Sequence, residues 1–182
     1  DDVKLSQNIK GCEDNNIPYG FYLVSYAKRL TGDESVNSEI AHTKRLIEGT
    51  NPFGIFYDME IDNTTSLGQE TLTNFAITYC EYFKNLGYKV GIYANKNWFT
   101  NYLDYNKLKN NGYMIWLAHY GIDKPSLDCD IWQYSDKGNV EGINTNTTDL
   151  NIMYSDLINS NQAQIISSMK SVSEIAQEVI NG

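Results

Sequence analysis

Short apolar runs alternate with amphipathic stretches along most of this chain. Residues 19–26, 53–60 and 88–94 are apolar and aromatic over the length of a strand, which predicts three buried strands. Residues 35–48 and 67–86 instead repeat apolar positions at helical spacing. The second of these segments predicts the clearest helix, because a single stripe contains Leu72, Phe75, Ala76, Tyr79 and Phe83.

The remaining segments continue this alternation. We predict a first helix over 1–16 and a short helical segment around 96–110, followed by strands at 114–120, 130–134 and 148–153. Strands that alternate with helices are joined by crossovers, so the pattern predicts an α/β fold with a parallel sheet. The last three strands leave no room for helices between them, which indicates a TIM-like barrel with a simplified end.

A change of composition follows the last predicted strand. The 182 residues are enough for one domain with a sizeable core, and we assign residues 1–154 to the barrel. Residues 155–170 are rich in Ser, Asn and Gln and are typical of a linker. Residues 171–182 open with a capping-box-like Ser171-Val172-Ser173-Glu174 and predict a short C-terminal helix.

The charge of the chain narrows the choice of partners. The formal net charge is -9, so there is no basic patch to attract nucleic acid. No apolar run of about 18 residues occurs, and we predict no membrane span. The chain opens with Asp1-Asp2-Val3-Lys4, without an initiator Met or an apolar signal segment, and we interpret this start as a cut end.

Cysteine and histidine are too few and too scattered for a disulfide framework or a zinc site. Cys12, Cys80 and Cys129 form no paired motif, and we interpret them as free structural thiols. Only His42 and His119 are present, so we expect neither a metal nor another cofactor. Aromatic residues instead make up 13% of the chain, a composition that suits carbohydrate binding and ordinary tyrosine-rich cores about equally.

Two acidic residues stand at the end of the second predicted strand. Asp58 and Glu60 flank Met59, and because strand side chains alternate, both carboxyls should lie on one side. In a parallel barrel the carboxyl ends of the strands form the rim of the active site. Two carboxyls in a partly dry site acquire different pKa values, as glycoside hydrolysis requires. Taken alone, the pattern also fits a metal site or a pair that faces a loop.

Other predicted strand ends carry aromatic and polar residues. If these ends meet at one rim, they form an aromatic cleft around the two carboxyls, although we expect two or three of the side chains to fill the barrel interior instead. The start of the last strand region would add a third acidic residue, Asp149. The strand-end residues are Tyr22, Tyr93, Trp116, Tyr120, Trp132, Gln133 and Tyr134.

Six motifs in order across residues 17–151 resemble glycoside hydrolase family 25, the Chalaropsis-type lysozymes of bacteria and their phages. Their joint order is far more specific than any one motif. They are Ile17-Pro18-Tyr19-Gly20-Phe21-Tyr22, Phe56-Tyr57-Asp58-Met59-Glu60, Gly87-Tyr88-Lys89-Val90-Gly91-Ile92-Tyr93-Ala94-Asn95, Ile115-Trp116-Leu117-Ala118-His119-Tyr120, Ile131-Trp132-Gln133-Tyr134-Ser135 and Thr148-Asp149-Leu150-Asn151.

This resemblance implies a (β/α)5(β)3 barrel that cleaves the β-1,4 bond between N-acetylmuramic acid and N-acetylglucosamine in peptidoglycan. It implies a protein secreted or released to the bacterial cell wall, as an autolysin or a phage endolysin. Glu60 matches the family's general acid, and Asp58 matches the carboxylate that orients the substrate N-acetyl group or stabilises charge at the anomeric carbon. Substrate-binding roles are implied for Tyr22, Tyr57, Tyr93, Trp116, Tyr120, Trp132, Gln133 and Asp149.

The chain departs from the family pattern at its beginning. The family starts with a strand that ends in Asp and continues with a second strand, and residues 1–16 match the helix that follows. We therefore expect this chain to lack two barrel strands and one active-site carboxylate, and to be incomplete as an enzyme on its own. Residues 173–182 resemble the opening of a small cell-wall-binding repeat, although an ordinary helix fits about as well.

Other functions fit parts of the sequence. A non-catalytic glycan-binding barrel would keep the aromatic residues, but it has no need of both Asp58 and Glu60. A metal-dependent hydrolase needs clustered histidines, whereas His42 and His119 lie far apart in the sequence. A Ser–His–Asp triad is weaker still, because no Gly-x-Ser-x-Gly motif is present.

Overall fold

The computed structural model describes residues 2–143 and 147–154. Within the chain, Gly20–Tyr154 forms one compact unit, whereas Asp1–Tyr19 belongs to a second unit. The predicted linker at 155–170 and the predicted helix at 171–182 lie outside the described residues. No helix in the described part of the chain is both long enough and apolar enough to cross a membrane.

In the described part of the chain, six strands form a single sheet in their order along the sequence. Each strand overlaps one of the predicted apolar segments. Neighbouring strands from β1 to β5 run parallel, and β6 runs antiparallel to β5. The strands are β1 (Phe21–Val24), β2 (Ile55–Asp58), β3 (Val90–Asn95), β4 (Met114–Ala118), β5 (Ile131–Gly138) and β6 (Thr148–Met153).

The direction of β6 corrects the expectation of a wholly parallel sheet. A parallel pair needs a crossover of about a dozen residues or more, and residues 139–147 between β5 and β6 are fewer than that. The two strands therefore pair as an antiparallel hairpin, with irregular register between Gln133 and Ser135 and between Ser135 and Gly138. Residues 119–130 between β4 and β5 are a longer crossover without a helix, and that pair stays parallel.

The helices form where the apolar spacing predicts them, with shorter bounds. The predicted segment around 96–110 divides into two helices, because Asn95 and Asp104 each cap a separate helix start through a side-chain oxygen. Ser35 forms a capping box with Ser38 at the start of the second helix. The helices of the described residues are α1 (Leu5–Asp14), α2 (Val36–Ile47), a 3-10 helix (Asp62–Leu67), α3 (Gln69–Asn85), α4 (Lys96–Asn101) and α5 (Tyr105–Asn110).

The apolar stripe of α3 lies buried against β2 and β3, as its helical spacing predicts. Tyr79 of this stripe stacks on Tyr57 of β2, with ring centroids 4.1 Å apart, and its hydroxyl shares a 2.8 Å hydrogen bond with Thr43 of α2. Each large apolar side chain buried in this way contributes about 1.5–3 kcal/mol. The stripe therefore anchors the helix layer to the sheet. Its buried members are Leu72, Phe75, Ala76, Tyr79 and Phe83.

Alternation along β2 divides its side chains between the two faces of the sheet. Tyr57 and Met59 pack into the apolar core with the helices. Phe56 and Asp58 occupy the alternate positions, and the Phe56 ring contacts Trp116 of β4 with centroids 5.2 Å apart. One strand therefore supplies core residues on one face and the wall of a cleft on the other.

Gly91 of β3 lies where the cleft face is crowded. A Cβ atom at this position would lie 2.6 Å from the carbonyl oxygen of Met114 and 2.8 Å from the Phe56 ring. We expect Gly91→Ala to lower the free energy of unfolding by about 1–3 kcal/mol, because the strand or the ring has to shift. Unfolding in urea, monitored by tryptophan fluorescence, measures the change. An unaltered urea midpoint would contradict the close approach of Gly91 to Met114 and Phe56.

Candidate active site

The parallel register aligns four side chains across β1 to β4. Val24 pairs with Asp58, Asp58 with Tyr93, and Tyr93 with Trp116. Residues that pair in register lie on the same face of a sheet, so four separate strands build one wall. This wall belongs to a cleft of about 170 Å³, which is lined by Tyr22, Val24, Asp58, Glu60, Tyr93, Trp116, Gln133 and Asp149.

Asp58 is a buried acid that lines the cleft. Its side chain is 4% exposed, and its Oδ1 atom has no hydrogen-bond partner among the described residues. Burial raises the pKa of Asp58 to about 8, and the nearby negative charge of Glu60 adds to the rise. The carboxyl is therefore largely protonated at neutral pH and can donate a hydrogen bond into the cleft.

Glu60 lies two residues further along and is exposed at the cleft. Partial burial raises its pKa, and the charges of Asp149 and Asp62 raise it further. Both carboxyls line the same cleft, as alternation about Met59 predicts. Because Asp58 and Glu60 interact, their protons leave in two steps that belong to the pair.

Aromatic rings surround Trp116 on the cleft face. The rings of Phe56, Tyr93 and Tyr22 meet the indole edge-to-face, with centroids 5.2, 5.0 and 6.3 Å from it. The indole Nε1–H donates a 2.8 Å hydrogen bond to Oδ1 of Asn151 on β6. These contacts hold the indole in one orientation and leave the exposed Tyr22 ring at the edge of the cleft.

Gln133 of β5 is buried at the side of the cleft. Its Oε1 atom accepts hydrogen bonds from the hydroxyls of Tyr93, at 2.8 Å, and of Tyr120. Burial raises the pKa of both tyrosines, so both hydroxyls stay protonated and able to donate. Tyr120 reaches the cleft through this contact, although its ring is not part of the lining.

Two of the predicted site residues face away from the cleft. Tyr57 is fully buried against Tyr79, and Trp132 packs in the same apolar core while its indole N–H donates to the carbonyl oxygen of His119. Each stands beside a cleft residue on its strand, and alternation turns it to the opposite face. We therefore omit Tyr57 and Trp132 from the proposed substrate contacts.

The histidines do not gather at the cleft. His42 lies on α2 beside Arg45, and His119 contacts Ser126 in the segment after β4. Within residues 2–143 and 147–154, no three histidine, cysteine or acidic side chains are grouped so that they could hold a metal ion.

Sequence reasoning missed three residues at or near the cleft. Val24 lines it, Asn151 holds the Trp116 indole, and Asp62 raises the pKa of Glu60. Asn151 could have been found, because it lies two residues beyond Asp149 and a strand places both on one face. Val24 and Asp62 carry no comparable signal, since an apolar residue in a strand and an acidic residue in a helix turn are both common.

The arrangement suits acid–base chemistry on a carbohydrate. The Asp58 carboxyl holds a proton at neutral pH, and the charge of the nearby Glu60 carboxyl contributes to the raised pKa of Asp58. The aromatic wall offers flat apolar surfaces, and the tyrosine and glutamine groups offer hydrogen bonds.

Comparison with known proteins identifies relatives of this chain. A family model described as "Glycosyl hydrolases family 25" matches residues 1–143. The autolytic lysozyme of Clostridium acetobutylicum is 28% identical over 137 residues, which are 73% of this chain and 39% of that protein. The chain therefore spans less than half the length of this relative.

Solved structures share the fold. The catalytic domain of endolysin ply40, from a bacteriophage of Listeria monocytogenes, aligns with a TM-score of 0.64 and 26% identity over 86% of this chain and 77% of that chain. The modular autolysin LytC from Streptococcus pneumoniae, in complex with a synthetic peptidoglycan ligand, aligns with a TM-score of 0.70 and 24% identity over 84% of this chain and 37% of that one. This chain, with its mixed α/β fold and curled six-stranded sheet in the described residues, therefore matches the fold of these structures.

The cost of burying Asp58 predicts how stability depends on pH. Above about pH 4 the unfolded chain releases the Asp58 proton, whereas the folded chain keeps it up to about pH 8. The unfolded state then binds fewer protons, so this carboxyl lowers the free energy of unfolding as the pH rises through that window. We expect Asp58→Asn to gain stability relative to the wild type between these limits, by on the order of 5 kcal/mol at pH 8.

Thermal unfolding of both proteins from pH 4 to pH 9 measures this difference. The gap in Tm should widen up to about pH 8 and then stay level. A gap that is the same at every pH would contradict a raised pKa of Asp58.

Proposed function

The chain belongs to glycosyl hydrolases family 25, and we propose that it acts as a peptidoglycan hydrolase. The reaction we propose is hydrolysis of the β-1,4 bond between N-acetylmuramic acid and N-acetylglucosamine. One observation carries the proposal: Asp58 and Glu60 share a single cleft with the aromatic wall around Trp116. Such a cleft offers the acid, the second carboxyl and the stacking surface that a glycosidase needs.

The relatives support peptidoglycan as the substrate. The Clostridium protein is an autolytic lysozyme, the Listeria phage protein is an endolysin, and LytC binds a synthetic peptidoglycan ligand. We propose that this protein likewise binds the glycan strands of the bacterial cell wall and acts there, either secreted or released to the wall. Nucleic acid is a poor partner for it, because the chain carries a net charge of -9.

We assign the role of general acid to Glu60. This carboxyl is exposed at the cleft, where a glycosidic oxygen can reach it, and its raised pKa favours the protonated form that an acid needs. Glu60 gives its proton to the leaving oxygen as the bond to the anomeric carbon breaks. It then takes a proton from the water that completes hydrolysis.

We assign the role of orienting carboxylate to Asp58. An acetamide N–H that donates to Asp58, together with positive charge at the anomeric carbon, favours the ionised form of this carboxyl. The proton that Asp58 holds at neutral pH then passes to Glu60, so the pair enters the reaction with a single proton, which leaves with the first product and is replaced from water in the second step. The N-acetyl oxygen of the substrate attacks the anomeric carbon, water later opens this intermediate, and the configuration is retained. Enzymes of this substrate-assisted kind are exceptions to the rules on carboxylate spacing.

The remaining cleft residues bind the glycan. Tyr22, Tyr93 and Trp116 present ring faces and edges to the sugar C–H groups. Gln133 and Tyr120 offer hydrogen bonds at the side of the cleft. Asp149 also lines the cleft, where it accepts hydrogen bonds from sugar hydroxyls and raises the pKa of Glu60.

We also propose that the sheet is part of a (β/α)5(β)3 barrel and that residues 1–154 belong to its catalytic domain. Strands β1 to β6 follow the order of such a barrel, with helices in the earlier connections and no helix in the described residues between the last three strands. Within the described residues, β1 and β6 each pair on one side only. Two further strands between them would close the barrel and protect both edges.

Glu60→Gln tests the proposed acid. The amide keeps the size of the side chain but cannot give a proton to the leaving oxygen. In the protein with its complete barrel, we expect the release of new reducing ends from purified peptidoglycan to fall by about 10²–10⁴-fold, while Tm changes little because Glu60 is exposed.

Glu70→Gln is the matched control, because Glu70 is an exposed glutamate in the first turn of α3 and is absent from the cleft lining. It should cleave like the wild type. Near-normal cleavage by Glu60→Gln would remove Glu60 from the mechanism. Binding of peptidoglycan by the wild type without any new reducing ends would favour a non-catalytic glycan-binding barrel.

The proton shared by the pair predicts the pH profile. The active form carries one proton, so kcat/KM should decline above about pH 8, where the last proton leaves the pair. In Asp58→Asn, Glu60 titrates without its charged neighbour, and the alkaline decline of the residual activity should move to lower pH. Initial rates from pH 4 to pH 10 measure both curves. If kcat/KM declined at the same pH in the wild type and in Asp58→Asn, the result would contradict a proton shared between Asp58 and Glu60.

A further inference from the structure

A second partly buried acid lies behind the cleft, on the helix side of the sheet. Glu39 stands in the first turn of α2, and its carboxylate accepts a 2.5 Å hydrogen bond from the Tyr57 hydroxyl and a 2.8 Å hydrogen bond from the backbone N–H of Tyr26. The hydroxyl of Ser25 lies 3.2 Å from the same carboxylate and 2.7 Å from the Tyr57 hydroxyl. The proposed chemistry of the cleft uses none of these groups.

The donors to Glu39 come from the carboxyl ends of β1 and β2, and Asp58 is the last residue of β2. Ser25 follows directly after β1, and its backbone N–H donates a 2.8 Å hydrogen bond to the carbonyl oxygen of Asp58. Tyr57 precedes Asp58 on β2, with its side chain on the opposite face. The carboxylate of Glu39 therefore links Tyr57, which precedes Asp58, to Ser25, whose N–H binds the Asp58 carbonyl oxygen.

This arrangement is costly, which argues that it does more than fill space. Burial raises the pKa of Glu39, and the hydrogen bonds from Tyr57, Tyr26 and Ser25 oppose that rise. Burial of a carboxylate costs several kcal/mol, which such donors repay only in part, whereas apolar side chains of similar size would pack as stably. A polar network in such a place fixes one geometry among several that pack equally well.

We propose that Glu39 is a positioning residue, which holds the carboxyl end of β2 so that Asp58 stays buried and correctly aimed in the cleft. The proposal rests on the function proposed above. Glu39 acts through Ser25 and Tyr57 and is not one of the residues that line the cleft. A shift of about 1 Å at a reacting group can cost about 100-fold in rate, so a modest loosening at this strand end is enough to matter.

Another hydrogen bond on the same helix provides the control. Thr43 of α2 bonds to the hydroxyl of Tyr79 at 2.8 Å, and Tyr79 stacks on Tyr57. This bond joins α2 to α3 and is buried behind the sheet, but its partners are neither Ser25 nor the Asp58 backbone. Thr43→Val should therefore lower the stability of the packing as a loss of the Glu39 hydrogen bonds would, but it should leave the pKa of Asp58 unchanged.

The experiment compares the wild type with Glu39→Gln, Tyr57→Phe and Thr43→Val. The first measurement is the pKa of Asp58, followed by the carboxyl carbon shift in ¹³C NMR, which requires no activity. We expect Glu39→Gln to lower the pKa of Asp58 by roughly one unit, because a looser strand end admits water to the carboxyl. Tyr57→Phe should lower it by less, and Thr43→Val should leave it unchanged.

The second measurement is the release of reducing ends from peptidoglycan. We expect Glu39→Gln to reduce kcat by about 10-fold to 100-fold with KM within about twofold, because the aromatic wall still binds the glycan. Thr43→Val should keep the wild-type kcat and lose only stability, measured as Tm. Because Glu39 and Tyr57 act together, the double variant should lose less than the two single losses combined.

The two proposals fail in different ways. If the wild type releases no reducing ends, the proposed function fails, and the pKa of Asp58 still tests the role of Glu39. If the wild type is active but Glu39→Gln keeps both the wild-type kcat and the wild-type pKa of Asp58, the positioning role is overturned. It is equally overturned if Thr43→Val shifts the pKa of Asp58 as much as Glu39→Gln does, because general packing would then explain both.

Discussion

The burial of the Asp58 carboxyl is the constraint on which the rest of this site depends. A carboxyl with 4% exposure and an Oδ1 atom without a partner in the described residues opposes folding at neutral pH, because the charged form is excluded. The protein folds in spite of this unfavourable term, because the pairing of β2 with β1 and β3 and the apolar core behind β2 contribute more stability than the buried carboxyl removes. The same cost raises the pKa of Asp58 to about 8 and so keeps a proton available for chemistry at neutral pH. Stability and chemistry are thus opposed at one residue.

The two faces of β2 serve separate purposes, and the network behind the sheet connects them. On the helix face, Tyr57 stacks on Tyr79 of α3 and donates a hydrogen bond to Glu39 of α2, which ties the strand to both helices. On the cleft face, Asp58 lines the cleft and Phe56 contacts the Trp116 ring. A precise site of this kind is easier to hold on a strand than on a loop, because each backbone group is already bonded to a neighbour. The proposed role of Glu39 follows from this coupling between a packed face and a reactive one.

Particular residues show how far sequence reasoning reached at the cleft. Alternation about Met59 was enough to place Asp58 and Glu60 together, because the period of a strand is a local property of the backbone. The same rule, applied to Tyr57 and Trp132, would have removed both from the set of expected substrate contacts, since each is adjacent to a cleft residue. Glu39 gave no signal in the sequence, where it is one of several charged residues on an amphipathic helix. Its importance arises from donors that come from residues 25, 26 and 57, which only the fold brings together.

Local periodicity determined the helices, the strands and the pair of acids, because each depends on neighbours within a few residues along the chain. The sequence also determined that β5 and β6 are too close for a crossover, although the antiparallel hairpin was recognised only in the structure. Tertiary structure alone decided the register that aligns Val24, Asp58, Tyr93 and Trp116, and with it the depth at which Asp58 is buried. The physical reason is that register and dielectric environment are set by contacts between segments far apart in the chain. A pKa near 8 belongs to that assembled environment and not to the residue type.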